Sequence, residues 1–298
     1  MDRTHSARPA SKPDCAGPHD DADVDILTRA TAPEREPLPP AARQHAGPSA
    51  SRPPLKPLSL TIFYPCYNEE ANVERVTRLA VEVAGRIADD FEVVIVNDGS
   101  KDRTAEIADR LADEIAEVRA VHNNPNLGYG GALQRGFREA RKDWVFYTDG
   151  DGQFDFNELP GLLPLLETHD IVSCYRLDRK DPLLRKINAW CWTSLVNLLF
   201  GLKLKDIDCA FKVFPRELFE RITLKSTGAL IDTEILAKAR NLGYSIVQVG
   251  VHHYPRTAGE QTGANIGVIL RAFKELFQLY KQIRHEGKPA ADPSHIDV

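Results

Sequence analysis

Between Leu58 and Tyr175 the chain alternates short apolar runs with longer stretches of helical period, and this alternation constrains its fold more than any other feature. LSLTIFYP (58–65), FEVVIVN (91–97), EVRAVH (117–122), DWVFYT (143–148) and DIVSCY (170–175) read as strands, rich in β-branched and aromatic residues. Helices are expected at about 69–88, 102–115, 129–141 and 157–167. Strands separated by helices require crossover connections, so the expected fold is α/β with a mostly parallel sheet covered on both faces. In such sheets ligands collect at the carboxyl ends of the strands, so the loops leaving those ends carry the functional information.

Three of these loops supply carboxylates. The first strand runs into Pro65-Cys66-Tyr67-Asn68-Glu69-Glu70, the second into Asn97-Asp98-Gly99-Ser100, and the fourth into Asp149-Gly150-Asp151-Gly152-Gln153. One strand-ending Asp is as often a turn former as a ligand. Three acidic loops on one rim repel each other unless a cation or hydrogen-bond donors compensate. Asp149 and Asp151, separated by one glycine, suit a hard divalent ion that also takes diphosphate oxygens, and Gln153 adds a neutral oxygen. A calcium loop fails on spacing, because Gln153, Phe154 and Pro160 stand where its fifth, sixth and twelfth positions need other residues. Asn126-Leu127-Gly128-Tyr129-Gly130-Gly131 precedes a helix but matches neither the dinucleotide fingerprint nor the phosphate loop of nucleoside triphosphatases. Anion binding and close helix packing are both open for its glycines.

The ordered set PCYNEE (65–70), VNDGSKDRT (96–104), NLGYGGALQRG (126–136) and TDGDGQFD (148–155) resembles the inverting nucleotide-sugar-dependent glycosyltransferases of family 2. The similarity continues through the Arg of CYR (174–176), DIDCAFKVFPREL (206–218), TEIL (233–236) and VHHYPRTAGEQTG (251–263), and looks most like the dolichyl- and polyprenyl-phosphate mannosyl- or glucosyltransferase branch. The resemblance implies a single GT-A, Rossmann-like domain over residues 58–263 and inverting, metal-dependent transfer of mannose or glucose to a polyprenyl phosphate. The implied donor is of the GDP-mannose or UDP-glucose type and the implied cofactor is Mg²⁺ or Mn²⁺. Pro65, Tyr67, Glu69 and Asp98 match base and ribose contacts; Asp149, Asp151 and Gln153 match the metal and diphosphate group. Arg176 and Arg256 match arginines that face a donor or acceptor phosphate, and with Asp151 they form the implied catalytic set. Asp206 and Glu234 match acidic positions of less defined role. Asn97 departs from the Asp of many relatives, Tyr129 from a Lys of the mannosyl branch, and membrane helices common at the C-terminus of that branch are missing.

Outside that span the sequence differs in kind. Residues 1–57 hold 11 of the 20 prolines and almost no apolar run, so a disordered segment is expected there. Residues 264–298 are expected to form an amphipathic helix and tail, with Ile269, Phe273, Leu276, Tyr280 and Ile283 at helical spacing. Arg176, Arg179, Lys180, Arg185 and Lys186 precede the uncharged, Trp-bearing run 187–202, a pattern expected of an interfacial element that meets lipid phosphates. That run is too short and too polar to span a membrane. The net charge of −5 excludes blanket nucleic-acid binding, and five cysteines without a Cys-x-x-Cys exclude a disulfide framework or zinc site. MDRTHSARPASKPD is not expected to be a signal peptide, so the expected location is cytoplasmic, peripheral on the membrane. Transfer to a saccharide hydroxyl, with Asp206, Asp208 or Glu234 as base, and a non-catalytic nucleotide-sugar scaffold are the competing readings; a homo-oligomer or membrane partner stays open.

Overall fold

The structure, a computed structural model, describes residues 53, 55–177, 183–256 and 275–284, with the side chains of 183–188 left out. The expected tail helix is described only over 275–284; Arg179, Lys180, the 1–52 segment and 257–274 lie outside the described residues.

The first half alternates as its sequence pattern requires: β1 (Ser59–Cys66), α1 (Val73–Ile87), β2 (Asp90–Asn97), α2 (Thr104–Glu114), β3 (Val118–His122), α3 (Gly128–Glu139) and β4 (Trp144–Thr148). There follow β5 (Ile171–Leu177), α4 (Leu183–Phe200), β6 (Phe211–Pro215), α5 (Glu217–Arg221), α6 (Ile231–Asn241), β7 (Ile246–His252) and α7 (275–284). The seven strands form one sheet in the order β3-β2-β1-β4-β6-β5-β7. All neighbours are parallel except β6, which runs antiparallel to β4 and β5.

The registers align the strand exits. Cys66 pairs with Asn97, Asn97 with His122, and Phe63 with Tyr147, so β1 to β4 end at one edge. Because β6 runs the other way, its beginning reaches that edge: Phe211 pairs with Thr148. The single reversed strand therefore delivers the segment 206–210 beside the exit of β4. Arg176 lies at the end of β5, paired with Val251 of β7.

β1, β2 and β4 are buried on both faces, which explains why their apolar runs are nearly continuous. α1 turns Val73, Val76, Thr77, Ala80, Val83 and Ala84 inward, and the Tyr64 and Thr77 hydroxyls meet at 2.7 Å. α3 comes close enough that a Cβ on Gly136 would stand 2.1 Å from the Phe63 ring. Rings of Phe63, Phe137, Tyr147, Phe214 and Phe219 fill the layer between α3, α5 and the sheet.

Two local expectations change. Residues 157–167 do not form an α-helix but two 3₁₀ turns, Phe156–Gly161 and Leu163–Glu167, because Pro160 and Pro164 remove the amide donors a continuous helix needs. The strands β6 and β7 add to the five read from the sequence; each is short, five and seven residues.

Candidate active site

The acidic loop after β4 is held by a fit that only glycine permits. A Cβ on Gly150 would lie 2.7 Å from both Cys66 Sγ and Pro65 O, so this loop lies directly against the exit of β1. Gly152 has φ of +72°, a left-handed turn that folds the chain back after Asp151. Asp151 Oδ1 accepts the Gln153 amide at 3.1 Å. Gln153 in turn binds Tyr254 twice: its Nε2 donates to Tyr254 O and its carbonyl accepts the Tyr254 amide, both at 2.8 Å. The loop is thereby tied to the segment after β7.

Asp149 receives the Tyr129 hydroxyl hydrogen at 3.2 Å. Burial first, then the charges of Asp151 and Asp232, pushes its carboxyl up to about 7. Tyr129, crowded by Asp149, Asp232 and Asp208 as well as by surrounding protein, has its phenol raised well above the ordinary value and stays protonated. Beneath them lies a fully buried cation. Lys212 Nζ donates to Asp232 at 2.7 Å, to the Tyr147 hydroxyl at 3.1 Å and to the Cys209 carbonyl, while Tyr147 donates to Asp232. This network joins the end of β4, the start of β6 and the first turn of α6. It was not read from the sequence, where Lys212 is one lysine of a strand, but its position opposite Thr148's neighbour Tyr147 makes it a central support.

Arg176 grips Asp206 with both arms of its guanidinium, Nε to Oδ2 at 2.7 Å and Nη2 to Oδ1 at 2.9 Å. Both side chains are largely buried, which favours this planar bidentate match. Arg256 pairs with Glu69, whose other oxygen accepts the Asn72 side chain at 2.8 Å. Burial raises the Glu69 carboxyl, opposed by Asn72 and Arg256. The two arginines and two of the acidic positions are thus joined as ion pairs.

Asp98 closes the other side of the cleft. Its Oδ1 accepts Asn123 Nδ2 and the Leu127 amide, each at 2.9 Å, and its carbonyl accepts Asn126 Nδ2 at 2.6 Å. It therefore anchors the 123–127 loop, with Oδ2 outside these bonds. Tyr67 stands exposed on the rim and Pro65 half-buried beneath it. Asn97 accepts the Ser100 amide through Oδ1 at 3.1 Å, so its Nδ2 donates to His122 Nδ1 at 2.9 Å, while His122 Nε2 donates to Asp109 at 2.8 Å.

Glu234 is fully buried and has a positioning task. It accepts the Lys225 and Ser226 amides and pairs with Lys238 at 2.9 Å. The loop it fixes receives α3: Gly130 donates to Thr227 O at 2.9 Å, and a Cβ there would meet Ser226 O at 2.6 Å. Gly130, in the first turn of α3, therefore serves close packing, the second of the two readings of these glycines. Asp208, just before β6, keeps an exposed face; the protein around it and the charges of Asp232 and Asp206 push its carboxyl up to about 6, against the opposing pull of Arg176 and Lys212.

Among the described residues no group of three or more His, Cys, Asp or Glu side chains is gathered to hold a metal ion. Asp149 and Asp151 nevertheless fit one. They are hard oxygen donors set close together, with the Arg75 guanidinium lying against Gly152 between Asp151 and Gln153, and the repulsion from Asp151 that adds to burial in raising Asp149 is what a divalent ion would relieve.

The profile of the glycosyl transferase family 2 matches residues 61–223, more than half of the chain. The protein belongs to glycosyl transferase family 2. Within family 2 it is 34% identical over 209 residues to glycosyltransferase AglD of Haloferax volcanii, covering 67% of this chain and 34% of that protein. It is 33% identical over 179 residues to the dodecaprenyl-phosphate galacturonate synthase of Rhizobium johnstonii, covering 57% and 52%. Against the dolichyl-phosphate β-glucosyltransferase of Dictyostelium discoideum identity is 29% over 232 residues, covering 70% and 71%. The chain thus spans about a third and about half the length of the first two relatives. Mannosyl-3-phosphoglycerate synthase from Rubrobacter xylanophilus superposes with a TM-score of 0.59 at 18% identity, covering 80% of this chain and 78% of that one. Glucosyl-3-phosphoglycerate synthase from Mycobacterium tuberculosis, crystallised with Mn²⁺, UDP-glucose and phosphoglyceric acid, superposes at 0.53 and 18% identity, covering 78% and 81%. These likenesses establish the GT-A-like fold.

Proposed function

We propose that this protein is an inverting glycosyltransferase that moves a sugar, mannose or glucose, from a nucleoside diphosphate to a polyprenyl phosphate at a membrane surface. The observation that carries the reading is the carboxyl edge of the sheet, where Asp149 and Asp151 stand beside the ion-paired Arg176 and Arg256. Relatives named for dodecaprenyl, dolichyl and undecaprenyl phosphate support the acceptor class.

Pro65, Tyr67, Glu69 and Asp98 border the side of the cleft where β1 and β2 end, and are assigned to the nucleoside. Asp149, Asp151 and Gln153 would hold Mg²⁺ or Mn²⁺, as the Mn²⁺-bound mycobacterial structure suggests for its own chain. The ion supplies positive charge that stabilises the departing diphosphate. Arg176 and Arg256 add fixed guanidinium charge toward phosphate, with Asp206 and Glu69 holding them oriented until substrate arrives. The Tyr129 phenol keeps one Asp149 oxygen directed. A lipid phosphate is already anionic near neutral pH, so attack on the anomeric carbon calls for positioning more than for a general base.

Arg179 and Lys180 are assigned to the acceptor phosphate on their sequence position alone. Asp206 acts there through Arg176, and Glu234 through the 225–228 loop. No helix among the described residues is long and apolar enough to cross a membrane. Surface contact is assigned to α4 and α7, which expose Trp190, Leu198 and Phe277.

Incubation with Mn²⁺, a short-chain polyprenyl phosphate and a panel of nucleotide sugars, read by mass spectrometry, tests donor and acceptor together. A polyprenyl-phosphate hexose is the expected product. Glycosylation of a soluble saccharide with no lipid product would overturn the acceptor assignment.

A further inference from the structure

We propose that Arg75 is a phosphate-binding residue, its guanidinium taking an anionic phosphate oxygen at the 149–153 loop; this rests on the glycosyl-transfer reading above. The distances put the guanidinium on that loop. A Cβ built on Gly152 would lie 1.9 Å from Arg75 Nη2 and 3.0 Å from its Cζ, so Arg75 occupies the space that a side chain between Asp151 and Gln153 would fill. Gly152 also holds the left-handed φ of +72°, so the residue that turns the loop is the one that admits the cation. Pairing with a carboxylate does not account for this placement. The other arginines of α1 are paired, Arg78 with Glu74 and Glu114, and Arg86 with Glu82 and Asn157. Arg75 is exposed and, among the described residues, has no ion pair, although it touches the acidic loop. Its position in the first turn of α1 sets a cation at the positive end of the helix dipole, which costs stability instead of adding to it.

A divalent ion on Asp149 and Asp151 would be repelled by a guanidinium beside it unless an anion lay between them. A phosphate meets that condition, since its oxygens can be shared by a hard cation and a planar fork of N–H donors. The surroundings favour the same ligand. Gln153 joins the loop to Tyr254, two residues ahead of Arg256, and Arg256 pairs with Glu69 just before α1. The start of α1 and the segment after β7 therefore both border the loop, and each brings it an arginine. Arg256 is already held by Glu69, whereas the donors of Arg75 are not engaged by a described carboxylate. Two phosphates carry this chemistry, the diphosphate of the donor and the terminal phosphate of the acceptor. Both present the same anionic oxygens to Arg75.

The test is titration calorimetry of the full chain with Mn²⁺ and then with UDP and GDP, on wild type, Arg75→Gln and Arg75→Lys. Beside it, the KM for a short-chain polyprenyl phosphate is measured with the sugar nucleotide that turns over. Taking a cation out of the first helical turn does not threaten folding, so Arg75→Gln should melt at the wild-type temperature or slightly above it. With Mn²⁺ saturating, the nucleoside diphosphate that binds wild type should bind Arg75→Gln about tenfold more weakly. Arg75→Lys should fall between the two, because it keeps the charge and loses the fork. Mn²⁺ alone should bind Arg75→Gln as tightly as wild type or more tightly, because a like charge has been removed. A purely structural Arg75 would not produce these opposed effects. A rise of about tenfold in acceptor KM with unchanged diphosphate affinity also supports phosphate binding and assigns it to the acceptor. Unchanged diphosphate affinity together with unchanged acceptor KM overturns the proposal. A loss of Mn²⁺ affinity that matches the loss of diphosphate affinity overturns it as well, making Arg75 a prop for the loop. In both cases wild-type binding of UDP or GDP leaves the glycosyl-transfer reading in place. Failure of wild type to bind UDP, GDP or any sugar nucleotide overturns that reading and the proposal with it.

Discussion

Asp149 is ionised at a cost in the metal-free protein, and the cost has a measurable signature. Its folded carboxyl titrates at about 7, well above the ordinary carboxylate range, chiefly through burial and then through Asp151 and Asp232. Between roughly pH 4 and 7 the folded chain holds a proton that the unfolded chain has released. This residue therefore makes the protein most stable at the acidic end of that window and progressively less stable as pH rises through it. Asp149→Asn removes the charge and keeps the shape. At pH 7.5 in EDTA the variant is expected to melt a few degrees above wild type, and its advantage should shrink toward pH 5. Turnover should fall by at least 100-fold, because the replaced carboxylate is assigned to the ion and diphosphate. Differential scanning fluorimetry across pH and a product assay check both halves; a variant that melts lower at pH 7.5 would refute the electrostatic account. Asp149 and Asp151 were readable in sequence because two carboxylates around one glycine is a compact pattern. The Lys212, Asp232 and Tyr147 network was not, since Lys212 and Asp232 lie 65 and 85 residues from Tyr147 and meet it only once β6 pairs with β4 and α6 packs against them.

At the level of elements, α3 is placed by the absence of side chains. Gly136 lies against the Phe63 ring, and Gly130 against the backbone of residues 226–228. Phe63 is fully buried beside Phe137 and Tyr147, so the ring has little room to give way. Gly136→Ala would gain about 1 kcal/mol from helix propensity. Overpacking in a tight core typically costs about 1–3 kcal/mol, and the 2.1 Å approach lies at the severe end. Net destabilisation of about 1–2 kcal/mol is expected in urea melts, with Tyr129 displaced and metal-dependent activity reduced; a more stable variant would count against this packing. The first four strands and three helices could be read from sequence because period and apolar content agree over whole elements. The reading failed over 157–167, where apolar spacing imitates a helix but Pro160 and Pro164 deny it donors. β6 escaped notice because it is five residues long and antiparallel, with a buried lysine as its second residue. That one strand sets Lys212 opposite Tyr147, so the unread Lys212 network and the unread strand were the same piece, while Asp206 and Asp208 just ahead of it were already legible as acidic candidates.

Across the whole molecule, the net charge of −5 is an average over regions with different tasks. Carboxylates gather at the strand exits, while α4 begins with Arg185 and Lys186 and exposes Trp190 at 68% and Leu198 at 81% farther along. α7 buries Leu276, Leu279 and Ile283, and Tyr280 packs edge-on against Phe200 of α4, so the two helices form one surface. Phe277 remains 51% exposed on it. An apolar and aromatic surface on helices that also carry Lys and Arg is suited to the interface of an anionic bilayer, where aromatic rings sit at headgroup depth and cations meet phosphate. Exposed aromatics are expendable for folding, since their area is already in water. The double variant Trp190→Ala, Phe277→Ala should therefore keep its melting temperature and its affinity for a nucleoside diphosphate. Its binding to phosphatidylglycerol-containing vesicles in flotation should drop about tenfold. Wild-type binding should weaken from 50 to 300 mM salt, as expected when lysines and arginines contribute through a screened field. Undiminished flotation of the double variant would move the membrane contact away from α4 and α7, whereas loss of nucleotide binding alongside flotation would mean that these rings support the catalytic fold instead.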